Sequence, residues 1–123
     1  MQHITRSKAT LNRNGTAKSY EYDMNGAALN IAVIYVNGRY PQQDFTVNKK
    51  VESLVQVVKG TGVLGLMDGT NVALKKGDQI HIPQDEAYYF EGTGLELVYA
   101  ATPKWTAEQT GRATNAKPVS DKY

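Results

Sequence analysis

Residues 53–92 read SLVQVVKGTGVLGLMDGTNVALKKGDQIHIPQDEAYYFEG, and this stretch decides the fold. Four short runs rich in Val, Ile, Leu and Tyr alternate with turn residues: Ser53–Lys59, Val63–Met67, Asn71–Leu74 and Gln79–Ile82. No window sustains an apolar period of about 3.6 residues, so the pattern predicts strands rather than helices. Asp68-Gly69 is a type I′ hairpin signal, because Gly adopts positive φ without steric cost. Gly60-Thr61-Gly62 and Lys76-Gly77-Asp78 supply further turns, and Pro83, which lacks an N–H, ends the strand before it. The expectation is antiparallel β structure.

Working outward, Ala17–Tyr22 alternates well enough for a strand, and Asn25-Gly26 turns the chain. Leu29–Val36 (LNIAVIYV) is almost continuously apolar, which suits a strand covered on both faces, in a barrel wall or at a subunit contact. Asn37-Gly38 is a second type I′ signal, and Phe45–Asn48 is a short strand. Downstream come a strand over Ala87–Phe90, a turn at Gly92-Thr93-Gly94, and a strand over Leu95–Ala101 with Leu95, Leu97 and Tyr99 on one face. Thr106-Ala107-Glu108-Gln109 fits a capping box, predicting a helical turn that Gly111 ends. The organisation expected is a polar N-terminal arm over 1–16, a β-barrel domain over 17–104, and a short helical turn with a flexible tail over 105–123.

The segment from Gly60-Thr61-Gly62 through Gly77 to Pro83, a hairpin followed by Gly, five residues and Pro, resembles the cupin family of jelly-roll barrels. Asn37-Gly38-Arg39-Tyr40-Pro41 and Ala101-Thr102-Pro103-Lys104-Trp105-Thr106 resemble the flanks of small single-domain bacterial cupins of type 2. The resemblance covers residues 29–109 and implies an all-β, double-stranded β-helix or jelly-roll barrel, an architecture that includes cupins. It also implies where a divalent metal would be held. Counting from the motif glycine and proline, the two His positions of the first motif carry Thr46 and Asn48. The Glu position carries Ser53, and the His of the second motif carries Tyr88. All four are substituted, and Asp85 stands where the family has Gly. Neutral oxygen donors hold a transition metal poorly, so no metal and no cofactor are expected.

Composition limits the functional classes. A chain of 123 residues predicts one domain, and the absence of Cys excludes disulfide and thiolate chemistry. Residues 1–20 carry four basic and no acidic side chains, whereas 21–100 carry six basic and ten acidic ones. Such basic ends read as solvated termini; without basic runs interleaved with aromatics, no nucleic-acid binding is expected. No signal-peptide core and no membrane-spanning apolar run occurs, so a cytoplasmic location is expected. Gly60 to Gly65 matches GxGxxG, but the dinucleotide fingerprint needs a helix that this stretch does not offer.

The candidate site is the bowl of the barrel. Thr46, Asn48, Ser53 and Tyr88 should converge there, with Phe90 on the face of Tyr88, to bind a small molecule such as a carbohydrate or small carboxylate. The competing reading is a filled barrel acting as a structural or dimerisation module. A third is a metal-independent sugar isomerase or epimerase using Tyr88 with His81 as acid and base. Tyr35, Tyr40, Tyr99 and Trp105 suit a pocket mouth or a dimer contact, and the edge of Ala17–Tyr22 invites pairing, so a homodimer is expected.

Overall fold

Ten strands form among the described residues, and those between residues 17 and 102 fall largely on the apolar runs that predict them. The structure is a computed structural model, which describes residues 1–106, 108, 110–114 and 117–120. After a 3-10 turn at Arg6–Lys8 come β1 (Thr10–Asn14), β2 (Ala17–Glu21), β3 (Asn30–Tyr40), β4 (Phe45–Asn48) and β5 (Glu52–Leu66). They are followed by β6 (Asn71–Lys75), β7 (Gln79–Ile82), β8 (Tyr88–Thr102), β9 (Thr110–Thr114) and β10 (Lys117–Ser120). All pairings are antiparallel, in the order β1-β2-β3-β8-β4-β9-β10, with β5 pairing β6, β7 and β8. This is the curled antiparallel sheet of an all-β barrel.

Two long strands, β5 and β8, run side by side from Glu52↔Thr102 to Leu66↔Tyr88 and carry the architecture. Both Gly-Thr-Gly triplets, expected as turns, lie inside these strands and face each other, with Thr61 opposite Thr93 and Gly62 opposite Gly92. The register shifts on either side of Lys59, and such bulges bend a strand. Glycine is required here for close approach: a Cβ on Gly60, whose φ is +84°, would lie 2.2 Å from the Gly94 carbonyl oxygen. The GxGxxG match therefore sits in a strand. Asn37-Gly38 also fails as a turn: β3 runs through it, and Gly38 sits at a bulge against β8. At Asp68-Gly69 the chain does reverse, but through a three-residue loop. The Gly69 N–H reaches Leu66 O at 3.0 Å, the Leu66 N–H reaches Thr70 O at 2.8 Å, and only Gly69 has positive φ. This is a type I turn closed by a glycine bulge rather than the type I′ turn expected.

The inner faces build the core. Val36, Val55, Val57, Leu95 and Leu97 are almost wholly buried, with Leu64, Leu74, Ile82 and Phe90 around them. Each such side chain contributes about 1.5–3 kcal/mol relative to exposure. A second cluster, Phe45, Val47, Ala87 and Ala113 with Met67 and Tyr89, covers the other face of β4. Hence all four β4 residues are buried. Within the single chain one face of the β3 run is covered: Ala32 and Val36 point inward, while Ile31 on the other face is 48% exposed.

The C-terminal segment departs from expectation. Residues 107 and 109 of the helical turn lie outside the described residues. Beyond them, Gly111 does not end a helix: it lies in β9 opposite Val47, and the free tail expected after it instead pairs through β9 and β10. The physical reason is fit. Small Gly111 and Ala113 pack against β4, and the Thr110 hydroxyl satisfies the buried amide of Asn48. The N-terminal arm likewise adds β1 to the sheet against β2.

Candidate functional site

At one end of the barrel the inner faces of β1, β2, β3, β4 and β8 enclose a cavity of about 430 Å³. Strand alternation decides which residues face it. On β2 these are Ala17, Ser19 and Glu21; on β3, Asn30, Ala32 and Ile34; on β1, Asn12 and Asn14. Thr46, Asn48, Tyr88 and Tyr99 form the inner wall, and Tyr40 and Trp105 flank it.

A chain of hydrogen bonds fixes that inner wall. The Trp105 indole N–H donates to Thr110 Oγ1 at 2.8 Å, and the Thr110 hydroxyl donates to Asn48 Oδ1 at 2.9 Å. Asn48 Nδ2 then donates to the Tyr99 hydroxyl at 3.0 Å. Trp105 is held from behind, its backbone N–H donating to Asn30 Oδ1 at 3.1 Å. The carbonyl of Asn48 accepts the Asp85 N–H at 2.9 Å. Asp85 adopts φ of 65°, so the substitution at the family's glycine keeps the left-handed conformation, which Asp tolerates better than most residues.

Burial pushes the Tyr99 phenol above its ordinary value, and the neighbouring Ser53, Tyr88 and Asn48 side chains offset part of that rise. At neutral pH it is a neutral hydroxyl that can donate to a ligand oxygen. Two other hydroxyls nearby, Thr46 Oγ1 and Ser53 Oγ, are buried with no hydrogen-bond partner among the described residues.

Three of the four expected positions, Thr46, Asn48 and Tyr88, line the cavity together. Ser53 lies behind them near Tyr99, almost fully buried. Phe90 does not line the cavity. It is core, 3% exposed, with its ring edge-to-face against Tyr88 at 5.4 Å, because Tyr88 occupies the space between it and the opening. His81 is on the outer face. Its neighbour Ile82 points into the core, so strand alternation turns the imidazole outward, where Nε2 lies 2.9 Å from Glu52 Oε2 with both side chains 54% exposed. The Tyr88–His81 acid–base pair is therefore not assembled. Of the aromatic residues expected at a pocket mouth or dimer contact, Tyr40, Tyr99 and Trp105 line the cavity and Tyr35 does not. The residues that sequence reasoning missed are Thr110, Glu21, Asn12 and Ser19, whose partners lie on other strands and leave no local signal.

The positions at which the cupin resemblance would place metal ligands carry two aliphatic hydroxyls, a carboxamide and a phenol. Among the described residues no group of three or more His, Cys, Asp or Glu is placed to hold an ion. Asn48 already spends both ends of its amide on Thr110 and Tyr99. Such donors are neutral and hard, and they do not fit a divalent transition metal. No helix among the described residues is long and apolar enough to cross a membrane.

No family profile and no curated protein sequence matches the chain. Solved structures do. A single-residue variant of Streptomyces Pac13 with uridine superposes with a TM-score of 0.82 at 17% identity, over 93% of this chain and 91% of that one. Pac13 is described as a nucleoside dehydratase. Ectoine synthase from P. lautus gives 0.74 at 15% identity, over 98% and 94% of the two chains. A cupin-2 domain from Rhodospirillum rubrum gives 0.63 at 14% identity, over 83% and 74%. At these identities the likeness speaks for architecture alone, and together with the strand order it establishes that the chain folds as a small cupin barrel.

Proposed function

We propose that this protein binds a small, hydroxyl-bearing molecule in the barrel cavity, without a metal at the cupin ligand positions. The observation that carries this reading is Thr46 Oγ1, a cavity-wall hydroxyl that is buried and has no hydrogen-bond partner among the described residues. Leaving such a group unsatisfied costs about 1–3 kcal/mol, and a ligand oxygen at that point relieves it. The cavity volume of about 430 Å³ falls within the range of small-molecule sites and argues against a barrel plugged by its own side chains. Structural neighbours that handle small molecules, one of them solved with uridine, support the same class of ligand.

A thermal-shift screen of uridine, methyl glycosides and small carboxylates on the wild type and Thr46→Val tests the site. Protection of the wild type that weakens in the variant supports it; equal protection of both removes it.

Catalysis on the bound molecule is a second reading, favoured by Tyr99. A phenol kept protonated by burial, and oriented by Asn48, suits a fixed hydrogen-bond donor to charge that develops on the bound molecule. Turnover that survives Tyr99→Phe would eliminate this role.

The outer sheet face supports a homodimer. Ile31, Ala100 and Leu54 lie in register across β3, β8 and β5, and Ile31 and Leu54 are about half exposed, at 48% and 49%. A second copy would cover this stripe, and light scattering coupled to gel filtration reads the mass directly. The absence of Cys suits a reduced, cytoplasmic setting.

A further inference from the structure

The cavity wall opposite the inner hydroxyls carries a carboxylate. Glu21 is the one acidic residue lining the space among the described residues, and its neighbours orient it: Asn12 Nδ2 donates to Oε2, and the Ser19 hydroxyl donates to the same oxygen at 3.4 Å. Oε1 has no partner among the described residues. The other charged residue of the lining, Lys18, has its ammonium over the Tyr35 ring, 5.1 Å from the centroid, and Tyr35 belongs to the outer face. Glu21 pairs with Ala32, and Ala32 with Tyr99, so the carboxylate and the buried phenol stand two strands apart. Adjacent strands lie about 4.8 Å apart, which separates the two backbone positions by about 10 Å.

From this arrangement we infer that Glu21 is a specificity-determining residue that accepts hydrogen bonds from two adjacent hydroxyls of a neutral ring, a sugar or nucleoside-like polyol, while Tyr99 and Thr46 engage polar groups at its far end. The inference rests on the proposed ligand site and adds the class of ligand. A carboxylate with Oε2 already oriented by two donors is a rigid acceptor, and Oε1 keeps two lone-pair sites that two adjacent hydroxyls can share. The same charge disfavours a small carboxylate, one of the ligand classes the sequence suggests, because like charges in a partly enclosed space repel. The aromatic flank of Tyr40, Tyr88 and Trp105 offers apolar surface to the ring itself.

The test is calorimetric titration of the wild type, Glu21→Gln and Thr46→Val. The probes are uridine and methyl riboside, each against its dideoxy counterpart, together with glucosamine and glucuronate. The expected result is that the wild type prefers the diol over the dideoxy compound by about tenfold or more, as suits a charge-assisted contact. Glu21→Gln should lose most of that preference. Equal binding of diol and dideoxy compounds, or a preference that Glu21→Gln leaves intact, overturns the assignment of Glu21. Should Thr46→Val still weaken binding in that case, the ligand site itself stands. Tighter binding of the amine or the carboxylate than of the neutral diols overturns the polyol class. No binding by any neutral polyol overturns it as well. Circular dichroism of each variant, unchanged from wild type, confirms that a loss of binding is not a loss of fold.

Discussion

Leu95, Leu97 and Tyr99 follow one another along the inner face of a single strand, yet they belong to two different barrels in one. Leu95 and Leu97 are wholly buried in a closed half, the one packed with Val36, Val55 and Val57. Tyr99 faces an open half whose wall is Asn48, Thr46 and Tyr88 and whose rim carries Glu21. The strands and their registers are continuous between the halves; only the inward residues change. The closed half supplies the stability that lets the open half keep buried hydroxyls without partners, groups that destabilise a fold unless something binds them.

The division predicts how the halves respond to substitution. The largest effect belongs to the closed half. Leu97→Ala should destabilise the protein by about 2–5 kcal/mol in denaturant unfolding, because it removes buried methyl groups and leaves a cavity. A cost near zero would mean that this half is not the stabilising core.

Next comes the junction between them. Thr110→Val keeps the shape of the side chain but deprives Asn48 Oδ1 and the Trp105 indole of their partner, at an expected cost of about 1–3 kcal/mol. It should also loosen the inner wall, which near-ultraviolet circular dichroism of Trp105 would register.

Tyr99 gives a pH signature. Its phenol has a higher pKa in the folded chain than in the unfolded one, where the value is about 10. The contribution is fully present below pH of about 10 and is lost as pH rises through the folded value, because the unfolded chain releases its proton first. Tyr99→Phe should therefore show a shallower alkaline fall in stability than the wild type, a difference that cancels the other tyrosines. Parallel curves would contradict the buried, protonated phenol.

The smallest effect on stability should come from Thr46→Val. It replaces a hydroxyl that has no partner with a methyl group of similar size, so the midpoint should stay within about 1 kcal/mol or rise. Ligand protection should fall at the same time. A variant that is equally stable but binds less is the sharpest sign that the open half was not built for stability.

Much of the barrel was legible because it is written locally. β4 and β7 occur over the residues that their apolar alternation predicts, and the inward row Leu95, Leu97, Tyr99 follows from the period of two. Glycine was the misleading signal. Gly60-Thr61-Gly62 and Gly92-Thr93-Gly94 look like turns in isolation, since a residue without Cβ serves a reversal and a close approach equally well. Only the strand opposite reveals which is meant. The C-terminal segment misled for a related reason: Thr110 is polar and reads as solvated, but its partner Asn48 lies 62 residues away.

The sequence by itself determined much of the strand pattern and the cupin-like spacing, because these depend on residue identity and short-range periodicity. Tertiary structure alone decided that the bowl is open, that Tyr99 rather than Phe90 lines it, that His81 faces outward, and that Glu21 from the N-terminal hairpin enters its wall. Each of these depends on which strands become neighbours, and pairings such as Asn48 with Tyr99, 51 residues apart, arise from closure of the sheet as a whole and leave no trace in local spacing.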